Sequence, residues 1–260
     1  MRSLARLCLF LLTCATPAAV AAQTNTAPPA APKPAASKSA AATQTRTTTK
    51  MTTDPALLRP ATLTAKAPDV YEVKFTTTKG DIVIEVTRDW APRGADRFYN
   101  LVRAGFYTDC AFYRNIAGFM VQFGISARPE VTKVWSGARI PDDPVKKSNT
   151  RGMVTFATAG PGTRTTQLFI NFGNNANLDT NPGVFAPFGE VVEGMSVADM
   201  LYNGYAGAAA DRFQEIEAQG KPFLDRNFPK LDRILTATIV PAAAPAPPAV
   251  IPAPPGAAKK

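Results

Sequence analysis

Apolar and polar residues alternate along Val70–Thr77 (VYEVKFTT) and again along Asp81–Thr87 (DIVIEVT), which predicts two strands with one buried face each. Lys79-Gly80 between them predicts a tight hairpin. The spacing changes over Pro92–Ala104 (PRGADRFYNLVRA). There Ala95, Phe98, Leu101 and Val102 fall on one helical stripe, with Pro92 suited to the first turn and Gly105 to the stop. Shorter apolar runs at Phe119–Phe123, Met153–Ala157, Gln167–Asn171 and Phe188–Val192 predict strands. A short helix is predicted at Val197–Tyr202, and Arg233–Val240 (RILTATIV) alternates once more. Many strands and few helices predict an antiparallel barrel or sandwich capped by helices.

One apolar run breaks its own pattern. FYRNIAGFMVQFG, residues 112–124, carries a guanidinium at Arg114 and a primary amide at Gln122. Strand alternation puts Phe112, Arg114 and Ile116 on one face, and after the Ala117-Gly118 break Met120 and Gln122 share a face. Either these polar groups sit at an edge and snorkel to water, or they face a cleft and act there.

The ends of the chain have a different composition. Met1–Ala22 starts with Arg2 and Arg6, continues with a short apolar stretch and ends in small residues. That order predicts a secretory signal peptide and a periplasmic or secreted protein; the stretch is too short to span a bilayer, so no integral segment is expected after cleavage. Thr13 before Cys14 matches a lipidation site poorly, so anchoring there is not expected. Residues 23–68 are Ala, Pro, Thr and Lys with few large apolar side chains, and are expected to be a disordered linker. Residues 241–260 form a second Ala/Pro tail, which leaves 69–240 as the folded domain.

That division changes the meaning of the net charge of +9. Eight Lys/Arg against the single acid Asp54 lie in residues 1–68, and Lys259 and Lys260 end the tail, so the stretch between is neutral. The sequence therefore gives no reason to expect a nucleic-acid groove. Of three cysteines only Cys110 lies beyond the leader, and it reads as a small packing residue. The chain has no histidine, which excludes Ser-His-Asp and Cys-His catalysis and any His metal site.

Three further stretches resemble known chemistry only in part. The glycine-rich run 159–166 (AGPGTRTT) lacks the P-loop lysine, and Pro161 removes a backbone donor. Asp179-Thr180-Asn181 mimics a calcium loop, but Val184 stands where that loop needs glycine. Asp142-Asp143 lies in a Pro-flanked loop and is expected to be solvated rather than catalytic.

Taken together, KGDIVIEVTRDWAPRGADRFYNLVRAGFY, FYRNIAGFMVQFG, FATAGPGTRTTQLFINF and FAPFGEVVEGM resemble the cyclophilins, in order and spacing, over Tyr71–Val240. QGKPFLDRNFPKLDRILTATIV is similar to the C-terminal part of an exported bacterial subgroup. The resemblance implies a mainly β fold: an eight-stranded antiparallel closed barrel capped by two helices. It implies peptidyl-prolyl cis/trans isomerisation of proline-containing polypeptides by a monomer, without metal or cofactor. By position, Arg114 matches the catalytic arginine, and Gln122 would hold the substrate backbone or orient that arginine. Phe119, Met120, Phe169 and Leu178 would box the pyrrolidine ring, and Ala157, Thr158 and Ala159 would pair with substrate backbone. Gln167 and Phe185 complete the groove.

This chain also departs from the pattern. Tyr113 and Phe185 stand where many relatives have histidine, Thr158 where asparagine is common, Asn177 where tryptophan is frequent, and Phe123 for the first of two glycines. The competing reading is a non-catalytic proline-peptide or holdase module. Arg114 and Gln122 argue against it, because docking alone has no need of the arginine. A hollow small-molecule carrier is disfavoured by the many large apolar residues.

Overall fold

A computed structural model describes residues 54–181 and 184–240. The expected leader, the possible lipid site at Cys14, the linker up to residue 53 and the tail from 241 lie outside the described residues. The strands are β1 (Val70–Thr77), β2 (Gly80–Thr87), β3 (Cys110–Ala111), β4 (Arg114–Ile116), β5 (Met120–Phe123), β6 (Met153–Phe156), β7 (Leu168–Asn171), β8 (Pro187–Glu193) and β9 (Arg233–Val240). The helices are α1 (Pro92–Arg103), α2 (Pro129–Trp135), α3 (Met195–Asp199), α4 (Phe213–Gln219) and α5 (Lys221–Asn227). None of the helices among the described residues is long and apolar enough to cross a membrane.

All strand pairs are antiparallel, in the order β3-β9-β1-β2-β8-β6-β7-β5-β4. The fold is thus mainly β and antiparallel, as the sequence predicts. It differs in count: among the described residues nine strands stand where eight were expected, and five α-helices where two were expected. The two end strands of the sheet, β3 and β4, belong to one stretch of chain broken only at Phe112-Tyr113. The sheet therefore curls until its ends lie along that stretch, although no hydrogen-bonded ladder joins β3 to β4 among the described residues.

The core follows from alternation. Tyr71, Val73 and Phe75 of β1 and Ile82, Ile84 and Val86 of β2 point inward and are buried, as is the α1 stripe Ala95, Phe98, Leu101 and Val102. Phe75 meets Phe98 and Phe123 edge to face, with ring centroids 6.1 and 5.7 Å apart, so the interior is filled. The hairpin turns one residue earlier than expected, at Thr78-Lys79, because the Thr77 hydroxyl accepts from the Lys79 N–H and donates to the Gly80 carbonyl.

The structure departs from expectation at two further places. Asp143 is not solvated: it is 1% exposed, accepts from the Arg93 and Gly94 N–H groups at the start of α1, and pairs with the buried Arg164 at 3.0 Å. It is the cap that an Ala91-Pro92 start lacks, and such caps contribute about 1 kcal/mol. Residues 54–68 are not free linker either. Leu57 is fully buried and its carbonyl accepts from Trp135 Nε1 at 2.8 Å, while Ala65 and Ala67 bond to Asn100 and Asp96 of α1. A second apolar cluster forms under the segment that carries α4 and α5, with Tyr113, Ile125, Ile216, Phe223 and Leu231.

Candidate active site

Cross-strand register assembles the site. In the β4–β5 hairpin Arg114 stands opposite Gln122 and Ile116 opposite Met120. Directly opposite residues share a face, so the guanidinium and the amide emerge together. The row continues into β7 and β6, where Gln122 faces Phe169 and Phe169 faces Thr155. Phe112 does not share the Arg114 face as alternation predicts. The strand is interrupted at residues 112–113, and Phe112 turns into the main core against Phe123.

A cavity of about 250 Å³ opens on this row, lined by Arg114, Phe119, Met120, Gln122, Ala157, Thr158, Phe169, Leu178 and Phe185. A second, of about 220 Å³, shares Gln122, Ala157 and Thr158 and adds Ala159, Thr163, Thr165, Gln167 and Phe213. Every site residue expected from the sequence therefore lines one of two adjoining cavities. Asn177 lines neither and is exposed on the short 3-10 turn that presents Leu178.

The first cavity has an apolar floor. Met120, Phe169 and Leu178 form a cluster of their own, with Ile116, Phe119, Ala157 and Phe185 packed on it. The Phe169 and Phe185 rings meet edge to face at 5.9 Å. The loop that brings Leu178 and Phe185 is held by Asn149, whose Nδ2 donates to Asp179 Oδ1 and to the Phe185 carbonyl, each at 2.8 Å. Asp179 also accepts from Ser148 Oγ and the Asn149 N–H, so its carboxylate serves the loop rather than a calcium ion. Burial alone would raise its pKa, but these hydrogen bonds together outweigh burial and hold it below the ordinary 3.8.

The polar wall is a chain of hydrogen bonds. Arg114 Nη1 donates to Gln122 Oε1 at 3.3 Å, Gln122 Nε2 donates to Gln167 Oε1 at 3.2 Å, and Tyr113 Oη donates to the same oxygen at 2.6 Å. Burial pushes the Tyr113 phenol well above its ordinary range, so it stays a donor at all physiological pH values. No carboxylate forms a salt bridge with Arg114 among the described residues. On the opposite rim, the Ala157 N–H is already used by the Gln167 carbonyl, whereas the backbone N–H and C=O of Thr158 have no partner among the described residues. The edge is thus open at Thr158 for an extended chain.

Gly124 keeps β5 tight against this wall. Its φ is +105°, and a Cβ there would lie 2.5 Å from the Thr166 carbonyl oxygen. Cys110 lies behind the site, buried, with its thiol pushed up to about 12 by burial, and plays a packing part.

Two groove residues were not found from the sequence. Phe213 lines the second cavity and Glu217 lies farther along, both from α4. Nothing in DRFQEIEAQG beyond Phe213 and Ile216 at helical spacing marks that segment as reaching the groove.

With this geometry in place, the chain matches the family model described as cyclophilin type peptidyl-prolyl cis-trans isomerase over residues 72–218. Peptidyl-prolyl cis-trans isomerase CYP18-1 of Arabidopsis thaliana is 33% identical over 148 residues, covering 55% of this chain and 90% of that protein. The human peptidyl-prolyl cis-trans isomerase-like 3 is 35% identical over 133 residues, covering 50% of this chain and 80% of that protein. Among solved structures, a Cryptosporidium parvum cyclophilin type peptidyl-prolyl cis-trans isomerase has a TM-score of 0.49 at 22% identity, covering 68% of this chain and 99% of that one.

Proposed function

The chain belongs to the cyclophilin-type peptidyl-prolyl cis-trans isomerase family, and on that premise we propose that the groove at Arg114 rotates Xaa-Pro bonds in exported polypeptides. Membership makes the protein an enzyme of the isomerase class. The observation that carries the residue-level reading is Arg114 itself. It is a half-buried cation opposite Gln122, with no carboxylate to neutralise it among the described residues, beside an apolar box the size of a prolyl ring and its neighbours.

The chemistry needs little else. Rotation about an amide breaks its resonance against a barrier of roughly 18–20 kcal/mol. In the twisted state the prolyl nitrogen becomes pyramidal and regains a lone pair. A fixed guanidinium N–H donates to that lone pair and gains nothing comparable from the planar ground state, which is the differential binding that lowers a barrier. No bond forms or breaks and no proton moves, so a chain without histidine is sufficient. Phe119, Met120, Phe169 and Leu178 hold the ring and exclude water, which favours the planar, more polar form. Gln122 aims the guanidinium, and the open backbone of Thr158, with Ala157 and Ala159 beside it, carries the substrate chain.

The finer reading extends to the whole molecule. Residues 110–116, which hold both end strands, close the sheet into a barrel with the groove on its outer face. The order of charge, apolar stretch and small residues in Met1–Ala22 supports a leader removed on export to the periplasm or the medium. The C-terminal stretch 219–240 supports an exported bacterial member, and we propose that it works as a monomer.

Arg114→Ala tests the assignment. We expect kcat/KM on a Xaa-Pro peptide to fall about 100-fold or more, roughly 2.7 kcal/mol of transition-state stabilisation, with the fold retained because the side chain faces the cleft. Wild-type turnover by the folded variant would remove Arg114 from the mechanism.

A further inference from the structure

The groove does not stop at the second cavity. Beyond Thr165 and Gln167 a neck of about 10 Å³, bounded by Thr132, Ser136 and Glu217, leads on. Next to it lies a cavity of about 420 Å³ between α2 and α4, whose wall includes Glu130, Thr132, Lys133, Ser136, Gln214 and Glu217. Successive cavities share lining residues, so these hollows lie in a row along the surface from the proline box to α4.

Glu217 stands at the junction, lining both the neck and the outer cavity. Its place is fixed by its neighbour Ile216, which is 1% exposed in the second apolar cluster. Its carboxylate is half-buried and makes no hydrogen bond or salt bridge among the described residues. A carboxylate withdrawn from water without a partner favours any cation that can reach it. Lys133 lines the same cavity but is not within salt-bridge distance, and Glu130 beside it leaves the cavity with a surplus of negative charge. Burial raises the Glu217 carboxyl above its ordinary value, in keeping with the missing partner. Gln167, which the Tyr113 hydroxyl holds, lines both the second cavity and the neck, so this outer site abuts the inner one.

We propose that Glu217 is a specificity residue: it receives a lysine or arginine side chain of the substrate polypeptide, a few residues from the proline seated in the inner box. The proposal rests on the isomerase reading. In an extended chain each residue spans about 3.3 Å, so a basic residue at one particular offset reaches the junction and its neighbours do not. The hydroxyls of Thr132 and Ser136 and the amide of Gln214 offer the remaining acceptors for an ammonium or guanidinium group.

The test uses the full chain and a set of peptides with one Xaa-Pro bond, in which a single lysine is moved stepwise away from the proline on either side. Each has a norleucine and a glutamate counterpart. Turnover is read by NMR exchange, and Kd by fluorescence anisotropy. At one offset the lysine peptide is expected to have a KM about fivefold below that of norleucine, with glutamate weaker still, and the preference is expected to fade with salt. Glu217→Gln should abolish the lysine-to-norleucine ratio, and Glu217→Lys should invert the preference toward glutamate. Equal KM values for lysine and norleucine at every offset would overturn the proposal, as would a lysine preference that survives Glu217→Gln. If no peptide is isomerised, the isomerase reading fails instead, and the subsite then stands or falls on the same comparison made with Kd.

Discussion

Tyr113 occupies a position where relatives often carry histidine, and its hydroxyl decides the orientation of two amides. It donates to Gln167 Oε1, which leaves that oxygen to accept from Gln122 Nε2 as well. Gln122 is thereby turned with Oε1 toward Arg114. Removing the first donor frees Gln167 to rotate and lets Gln122 present either end to the guanidinium. Tyr113→Phe is therefore expected to lower kcat about threefold to tenfold while KM changes little, because the box that binds proline is untouched. A KM effect with kcat intact would make Tyr113 a packing residue only. At this scale the sequence was informative. Arg114 and Gln122 stood out as polar groups in an apolar run, and their pairing in β4–β5 follows from the Ala117-Gly118 break. The side-chain partners were not legible, because Gln167 meets Tyr113 only through the β5–β7 register.

Elements with several alternations or turns are legible in the sequence, as are the shorter apolar runs that become β5 to β8, but the short helices α2, α4 and α5 are not. β1, β2, β9 and α1 run for eight to twelve residues and show their period. α2, α4 and α5 have seven residues each, two turns at most, too few for a stripe to emerge. Glu217 was missed for that reason, since α4 lies far along the chain from the groove motifs it adjoins. The described loop residues 173–181 are also held by long-range bonds rather than local pattern, with Asp179 as their anchor. A carboxyl whose folded pKa lies below its unfolded value stabilises the fold above that unfolded value and loses its contribution as pH falls through the folded one. The loop that presents Leu178 and Phe185 should therefore hold firm above pH about 4 and loosen below the ordinary 3.8 of Asp179. Amide exchange at residues 174–181, followed as pH falls from 5 to 2.5, should show protection falling with pH in the wild type, whereas Asp179→Asn should be less protected at pH 5 and change little further. Unchanged protection across that range would show that Asp179 does not anchor the loop.

Across the whole molecule, composition misjudged where the folded body begins. Residues 23–68 are poor in large apolar side chains, and averaged over that length they read as unfoldable. An average hides a single anchor. Leu57 is fully buried against the main core, whereas Leu58, next in the same 3-10 turn, is 44% exposed. Among the described residues the carbonyl of Leu57 is also the one hydrogen-bond partner of the buried Trp135 indole, so the strap and α2 hold each other. These two leucines make a matched pair for testing the boundary. Leu57→Ala removes a packed side chain and leaves a cavity, at an expected loss of about 2–5 kcal/mol. Leu58→Ala alters an exposed one and should stay within about 0.5 kcal/mol. For a domain of this size each kcal/mol moves Tm by roughly 2–4 °C, so the first variant should melt well below the wild type and the second beside it. If both leucines proved neutral, residues 54–68 would be linker after all. The contrast between them, measured in the intact chain by thermal denaturation, places the start of the cooperative unit at this strap rather than at β1.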